Sequence, residues 1–175
     1  ISVNIAAPIS SGNQPPAITL SSGLPPLLVC HSMGGVAARA WVAHQVGSAK
    51  NAPVHRIVTI GSPHRGTWLA RFGQSANAAE MREGSAWLAE LNRASNSEQF
   101  LQSEAAPLWL CWYSNCDHIV FPASTATLPH ADNRLVRGAA HVQLAFVPEV
   151  MDETLALLDL GGTRHARAVE PAPLQ

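Results

Sequence analysis

The sequence predicts an α/β fold in which helices flank a mostly parallel sheet. The first observation is a set of short apolar runs, each of the kind that forms a strand buried on both faces: Leu27–Cys30, Val54–Ile60 and Leu108–Tyr113. The second is an Ala-rich helical pattern over Gly34–Val46, which lies between the first two runs. A strand, a helix and a strand at this spacing form a βαβ unit, so these two strands are expected to run parallel.

The remaining elements follow along the chain. Ile1–Ile5 alternates apolar and polar residues and predicts a short strand, whereas Ala6–Pro26 is rich in Pro and Ser and predicts a loop. Over Trp68–Ala106, apolar residues at helical spacings predict two or three amphipathic helices. These helices follow a strand-end loop directly, so they could either cap a pocket or pack into the core. Asn133–Val136 predicts the last strand, and Pro148–Leu160 predicts a C-terminal helix.

Length and composition indicate a single domain. The chain has 175 residues, of which 47% are hydrophobic, and this is enough for one sizeable core. We expect the domain to cover residues 1–160, with a cap-like helical insertion at about 68–106. Residues 161–175 have no apolar periodicity and predict a disordered tail.

Charge and hydropathy bear on the expected partners and on the cellular compartment. A formal net charge of −1 gives no reason to expect nucleic acid as a partner. No apolar run approaches the roughly 20 residues of a membrane span. For the chain from Ile1 onward this slightly favours the cytoplasm, whereas a secreted or anchored protein would need a segment before Ile1.

The chain contains three cysteines, Cys30, Cys111 and Cys116. An odd number does not suit a disulfide framework, and no His/Cys spacing resembles a metal site. Cys111 and Cys116 are close enough in sequence to pair across a strand end, or they are two small buried apolar residues. We therefore predict no metal and no organic cofactor.

Ser32 is the candidate nucleophile. It stands in the motif C-H-S-M-G, between an apolar strand and an Ala-rich helix, where a sharp turn exposes a side chain at the end of the sheet. The small residues Gly34 and Gly35 would let the helix approach the neighbouring strand. The backbone N–H of Met33 would point at a developing oxyanion, with the helix N-terminus adding a favourable field. Cys30 occupies the place of the first glycine of a full G-x-S-x-G motif.

A serine needs a base and an acid, which in this type of fold follow it in the order Ser, Asp, His. Asp117 closes the third apolar strand and is the preferred acid, with Asp132 in a predicted turn as the alternative. His141 follows the last strand in a loop of small residues and is the preferred base, with His130 as the alternative. Parallel strands end at one edge of a sheet, so Asp117 and His141 are expected near Ser32.

Further residues are candidates for the substrate pocket. His31 precedes Ser32, and it is expected either to orient the turn or to line the pocket. His64 lies in the loop after the second strand, and Trp68 opens the helical segment that follows. Both are placed where a pocket at the carboxyl edge of the sheet would need lining residues.

Four sequence blocks carry a resemblance to a known family. They are C-H-S-M-G-G-V-A-A-R at Cys30–Arg39, T-I-G-S-P-H-R-G-T at Thr59–Thr67, Y-S-N-C-D-H-I-V-F-P at Tyr113–Pro122 and G-A-A-H at Gly138–His141. With these blocks in this order, the chain resembles the bacterial lipases and esterases of the α/β-hydrolase superfamily over residues 1–160. The resemblance implies a Ser32–Asp117–His141 triad, Met33 N–H as an oxyanion donor, and hydrolysis of carboxylic esters through an acyl-enzyme. The expected substrate is a small-molecule acyl ester, which could be lipid-like.

The chain departs from that family before Ser32. In the family, an earlier strand ends in a His-Gly loop that supplies a second oxyanion donor, and nothing here resembles that loop. The resemblance therefore implies that the first strands are missing, and that the second donor comes from a segment such as Ser10–Asn13 or is lacking. The alternatives are a weak or inactive binding domain of this fold, or an acyltransferase with the same triad. An exposed sheet edge would also favour association.

Overall fold

The sheet is parallel throughout. The computed structural model describes residues 26–47, 54–97 and 107–159. Within these ranges four strands form one sheet in sequence order: β1 (Leu27–His31), β2 (Arg56–Ile60), β3 (Leu108–Ser114) and β4 (Asp132–Val136). Each strand runs parallel to its neighbours. The predicted sheet is therefore confirmed, while the expected strand Ile1–Ile5 and the tail at 161–175 lie outside the described residues.

The helices fall where the sequence pattern predicts them. They are α1 (Met33–Gly47), α2 (Ala76–Glu80), α3 (Ala86–Ser95) and α4 (Pro148–Asp159), joined by 3₁₀ turns at Trp68–Phe72, Ala123–Ala126 and Gln143–Phe146. Serine caps the start of α3, where the Ser85 hydroxyl accepts a hydrogen bond from the Leu88 N–H. Over the described parts of the chain, the helices are all too short or too polar to cross a membrane.

Helices cover both faces of the sheet. Alternate residues of β2 and β3 point to one face and pack with α4 and the segment before it: Val58, Ile60, Leu110, Trp112, Val136, Ala139, Leu144 and Val150. On the other face, Ile57 packs against Ala38 and Val42 of α1. This two-sided burial explains why the strand sequences are nearly continuous apolar runs.

The segment after β2 packs on the outer side of α1. Val36 of α1 joins Ala70, Met81, Leu88 and Leu91 in a third buried cluster. One predicted amphipathic helix is present as α3, which buries its apolar side against α1. The short helix α2 has no buried residue and is not amphipathic in this sense. The cap-like insertion at 68–106 stays a prediction, and its last residues lie outside the described ranges.

One expectation from the sequence is wrong, and one alternative that the sequence left open is excluded. Strand β1 is not buried on both faces, since Val29 is 48% exposed. Among the described residues β1 pairs only with β2 and forms an edge of the sheet. Cys111 and Cys116 are free thiols and not a disulfide, and Cys116 is exposed because it lies beyond the end of β3.

Candidate active site

Ser32 occupies a one-residue turn between β1 and α1. Strand β1 ends at His31 and helix α1 begins at Met33, so the chain reverses its course at Ser32 alone. Its φ of 55° lies in the left-handed region, which costs a non-glycine residue free energy. A backbone hydrogen bond from the Ser32 N–H to the Ile60 carbonyl, at 2.9 Å, ties this strained turn to β2. The turn has the form predicted from the sequence.

Gly35 is the glycine that permits the close approach of α1 to β2. A Cβ at this position would lie 2.7 Å from Ser62 Cβ and 2.8 Å from Thr59 Cγ2, closer than packed atoms can come. At Gly34 the nearest atom is Cys30 Cβ at 3.7 Å, an ordinary contact. Cys30 is therefore accommodated in place of the motif's first glycine.

The side chains of Ser32, His141 and Asp117 form a continuous hydrogen-bonded row. Ser32 Oγ lies 3.0 Å from His141 Nε2, and His141 Nδ1 lies 2.7 Å from Asp117 Oδ2. A carboxylate can only accept, so Nδ1 carries the hydrogen, and in the neutral ring Nε2 is then free to accept from the Ser32 hydroxyl. His141 and Asp117 are both buried, which keeps water from competing for these bonds.

Backbone donors hold the other oxygen of Asp117. Its Oδ1 accepts hydrogen bonds from the N–H groups of Ile119 and Val120, each at 2.8 Å. Burial by itself raises the pKa of Asp117. The hydrogen bond from His141 and these two backbone donors outweigh that effect and leave the pKa below its usual range. Asp117 is therefore an oriented carboxylate at neutral pH.

Gly61 lies directly beside the Asp117 carboxylate and the His141 ring. The sequence pattern did not identify it as a site residue. Its φ is 56°, and its N–H donates to the Trp112 carbonyl at 2.9 Å. A Cβ there would lie 3.2 Å from Asp117 Oδ2 and 3.3 Å from His141 Nδ1. The only signal in the sequence was a glycine placed directly at the carboxyl end of a strand.

The alternative acid and base lie elsewhere. Asp132 opens β4, at the amino end of the strands, and its carboxylate contacts Arg134 at 2.6 Å. His130 is exposed in the turn before that strand, with a φ of 63°. Because β1 and β4 belong to one parallel sheet, both residues lie at the opposite edge from Ser32.

The three predicted pocket residues have different surroundings. His31 is exposed, and its ring centroid lies 4.8 Å from that of His141. Trp68 is half-exposed, packs edge-on against Phe72, and donates its backbone N–H to the Phe121 carbonyl. His64 is fully buried, so its ring has no surface to offer a substrate, and the pocket-lining role predicted for it does not fit.

His64 belongs instead to a buried polar cluster around Arg39. Arg39 donates from Nη1 to the His64 carbonyl at 2.8 Å and from Nη2 to Asn92 Oδ1 at 2.6 Å. Burial lowers the pKa of Arg39 to about 10, so it remains charged at neutral pH. Burial and the charges of Arg39 and Arg65 hold the pKa of His64 well below its ordinary value, so its ring is neutral.

The first turn of α1 faces the same edge of the sheet as these side chains. Met33 is the first residue of the helix, so its backbone N–H has no acceptor within the helix. The segment Ser10–Asn13, predicted as a source of a second donor, lies outside the described residues.

Over residues 26–47, 54–97 and 107–159, no group of three or more His, Cys, Asp or Glu side chains could hold a metal ion.

Part of the sequence matches a known family model, and the fold is similar to that of solved structures. The sequence matches no curated protein, but the family model of the PGAP1-like alpha/beta domain matches residues 26–106. Among solved structures, the chain is similar to the lipase BlEst2 of Bacillus licheniformis. The mature form is 18% identical with a TM-score of 0.57, over 76% of this chain and 66% of that one. The propeptide form is 18% identical with a TM-score of 0.58, over 87% of this chain and 39% of that one. At this level of identity, the likeness shows a shared fold.

Proposed function

Because the chain has the α/β-hydrolase fold, we propose that it is a serine hydrolase that cleaves carboxylic esters. Ser32 is the nucleophile, His141 the general base, and Asp117 the carboxylate that orients the base. The observation that carries the proposal is the row of hydrogen bonds from Ser32 Oγ through the His141 ring to Asp117. A second support is that two solved structures of similar fold are both structures of a lipase.

The reaction follows from the protonation state of this row. His141 Nε2 takes the proton of Ser32 as Oγ attacks the ester carbonyl carbon, and the imidazolium then gives that proton to the departing alcohol. The acyl group is left on Ser32 as an ester. Water, deprotonated by His141, attacks this acyl-enzyme and releases the carboxylic acid, with the proton returning to Ser32. Asp117 stays ionised throughout and stabilises the imidazolium.

The developing oxyanion is stabilised from the start of α1. The Met33 N–H belongs to the first turn of that helix, where the helix dipole also favours negative charge. Loss of a single oxyanion donor typically costs about 3–4 kcal/mol of transition-state stabilisation. We assign Met33 as one donor. A second donor from a segment such as Ser10–Asn13 stays a prediction, and its alternative is a site with Met33 as its one donor.

The chemistry of the surrounding surface favours an apolar acyl group. Met33, Phe121 and Val142 each follow the carboxyl end of a different strand, on the same edge as Ser32, and they are 40%, 57% and 63% exposed. Apolar side chains beside polar reacting groups are typical of sites that bind largely apolar ligands. We therefore propose esters with an aliphatic or aromatic acyl part as substrates.

A fluorophosphonate probe on the purified chain tests the proposal. It should label the protein at Ser32, and the rate of labelling should fall by about 10⁴-fold or more in Ser32→Ala and His141→Ala. The exposed residues Ser124 and His44 provide matched controls, since Ser124→Ala and His44→Ala should leave labelling unchanged. A folded chain that is not labelled would favour the inactive binding domain.

Hydrolysis of p-nitrophenyl esters from acetate to laurate tests the acyl group. A clear preference among chain lengths is expected if the apolar side chains at the sheet edge contact the acyl part. Equal rates over the series would contradict the proposed substrate class. Transfer of most of the acyl group to an alcohol that is far less concentrated than water would identify an acyltransferase instead.

A further inference from the structure

The loop that carries His141 has no regular secondary structure of its own. His141 lies between the end of β4 at Val136 and the 3₁₀ turn at Gln143–Phe146. The Ser114 hydroxyl anchors the loop before it, donating to the Ala139 carbonyl at 2.6 Å. The Gly138 N–H also donates to Asn115 Oδ1 at 3.0 Å, and the Ala140 N–H donates to Gln143 Oε1 at 3.2 Å. The contact to His141 itself comes from the other side of the site. There, His31 Nε2 lies 3.2 Å from the His141 carbonyl oxygen.

The chemistry of the contact between His31 and the His141 carbonyl fixes where the hydrogen lies. A backbone carbonyl can only accept a hydrogen bond, so His31 must carry a hydrogen on Nε2. Both the neutral Nε2–H tautomer and the imidazolium satisfy this condition, so the contact does not depend on the charge of the ring. The two rings are also tilted by 47° and in contact, with centroids 4.8 Å apart.

We propose that His31 is a positioning residue that holds the backbone of His141 at the distance the reaction needs. This inference rests on the proposed function. The dipeptide His31–Ser32 contacts both ends of His141: the Ser32 hydroxyl bonds to the ring, and the His31 ring bonds to the backbone carbonyl. The nucleophile and the base, 109 residues apart in the chain, are thereby set at a mutual distance by adjacent residues of one turn.

The size of the expected effect follows from the sensitivity of such reactions to geometry. A displacement of about 1 Å can reduce a rate by about 10²-fold. Without the hydrogen bond from His31, the ring of His141 would sample positions farther from Ser32, and the chemical step would slow. Substrate binding would not change, because His31 acts through the backbone of His141. The expected signature is a kcat about 10- to 100-fold lower with KM unchanged.

Two variants separate the hydrogen bond from the ring contact. His31→Phe keeps an aromatic ring beside His141 but has no donor, whereas His31→Gln keeps an N–H donor without the ring. We expect His31→Phe to lose kcat against a p-nitrophenyl ester and His31→Gln to recover most of it. His44→Phe, at an exposed position on α1, is the control and should match the wild type. The melting temperature of each variant, measured alongside, reports whether the fold is intact.

Three kinetic results would overturn the inference: equal kcat in His31→Phe and wild type, equal losses in the Phe and Gln variants, or a raised KM at constant kcat. The last would make His31 a substrate contact. Absence of probe labelling in the wild type would instead reject the proposed function. In that case, NMR of ¹⁵N-histidine-labelled protein still tests the contact. The His141 Nδ1–H signal should broaden or shift in His31→Phe and not in His31→Gln, and an unchanged signal in both would overturn the inference.

Discussion

Gly61 lies directly behind Asp117, so close that a Cβ on Gly61 would be 3.2 Å from the carboxylate Oδ2. At that separation, one of the two groups would have to move. The carboxylate cannot withdraw freely, because its other oxygen is held by two backbone N–H groups. The backbone at the end of β2 and the side chain at the end of β3 are therefore fitted to each other.

Replacing Gly61 by alanine is expected to impair both stability and activity. The φ of 56° is unfavourable for a residue with a Cβ, which should lower the free energy of unfolding by about 1–2 kcal/mol. The added methyl group should also displace the pair of Asp117 and His141 slightly and lower kcat, by less than the roughly 10²-fold that a misplacement of about 1 Å can cause. Urea unfolding and ester hydrolysis measure the two effects. A fully active Gly61→Ala protein would show that the fit behind Asp117 is unimportant.

The two glycines after Ser32 are expected to respond differently to alanine. At Gly35 a Cβ would overlap Ser62 and Thr59, so Gly35→Ala should lower the free energy of unfolding by about 1–3 kcal/mol. At Gly34 the nearest atom is 3.7 Å away, and alanine favours helix by up to about 1 kcal/mol. Gly34→Ala should therefore be neutral or stabilising. Urea titrations of both proteins check this, and equal losses would refute the packing argument.

The lowered pKa of Asp117 predicts a loss of stability in acid. An unfolded aspartate titrates near pH 3.9. In the folded chain, burial is outweighed by hydrogen bonds to the carboxylate, so the folded pKa lies lower. The stabilisation by this carboxylate is then fully present above about pH 3.9 and is lost as the pH falls from there through the folded pKa.

Asp117→Asn should therefore be less stable than the wild type at neutral pH, and the difference should shrink in acid. Urea unfolding at a series of pH values measures it. Asp152→Asn, at an exposed position on α4, is the control and should follow the wild-type curve. A difference between Asp117→Asn and wild type that is independent of pH would contradict the assigned pKa shift.

Asn92 is expected to matter because it binds a buried charge. It accepts a hydrogen bond from Arg39, whose side chain is almost fully buried. Asn92→Ala would leave that guanidinium short of a partner, at a cost of about 1–3 kcal/mol in the free energy of unfolding. On the same helix, Arg93 pairs with Glu90 in solvent, and Arg93→Ala should cost less than about 1 kcal/mol. Equal effects in urea unfolding would mean that the buried network adds no stability.

Much of the fold was predictable because it depends on local patterns. Continuous apolar runs indicated buried strands, and the Ala-rich run after Ser32 indicated the helix of the turn. The order Ser32, Asp117, His141 could be proposed because each residue follows a predicted strand, and parallel strands end at one edge. The exposed face of β1 could not be predicted, since an apolar run does not reveal whether another element packs against that face.

What the sequence by itself determined, then, is the class of fold, the strand order along the chain and the residue types available at the carboxyl edge. The tertiary structure decided which of them meet: Gly61 behind Asp117, His31 on the backbone of His141, and Arg39 on the loop of His64. The physical reason is that periodicity reports whether a side chain is buried, and not which distant residue it faces. Such contacts depend on strand register and loop path, which are set when the whole chain packs.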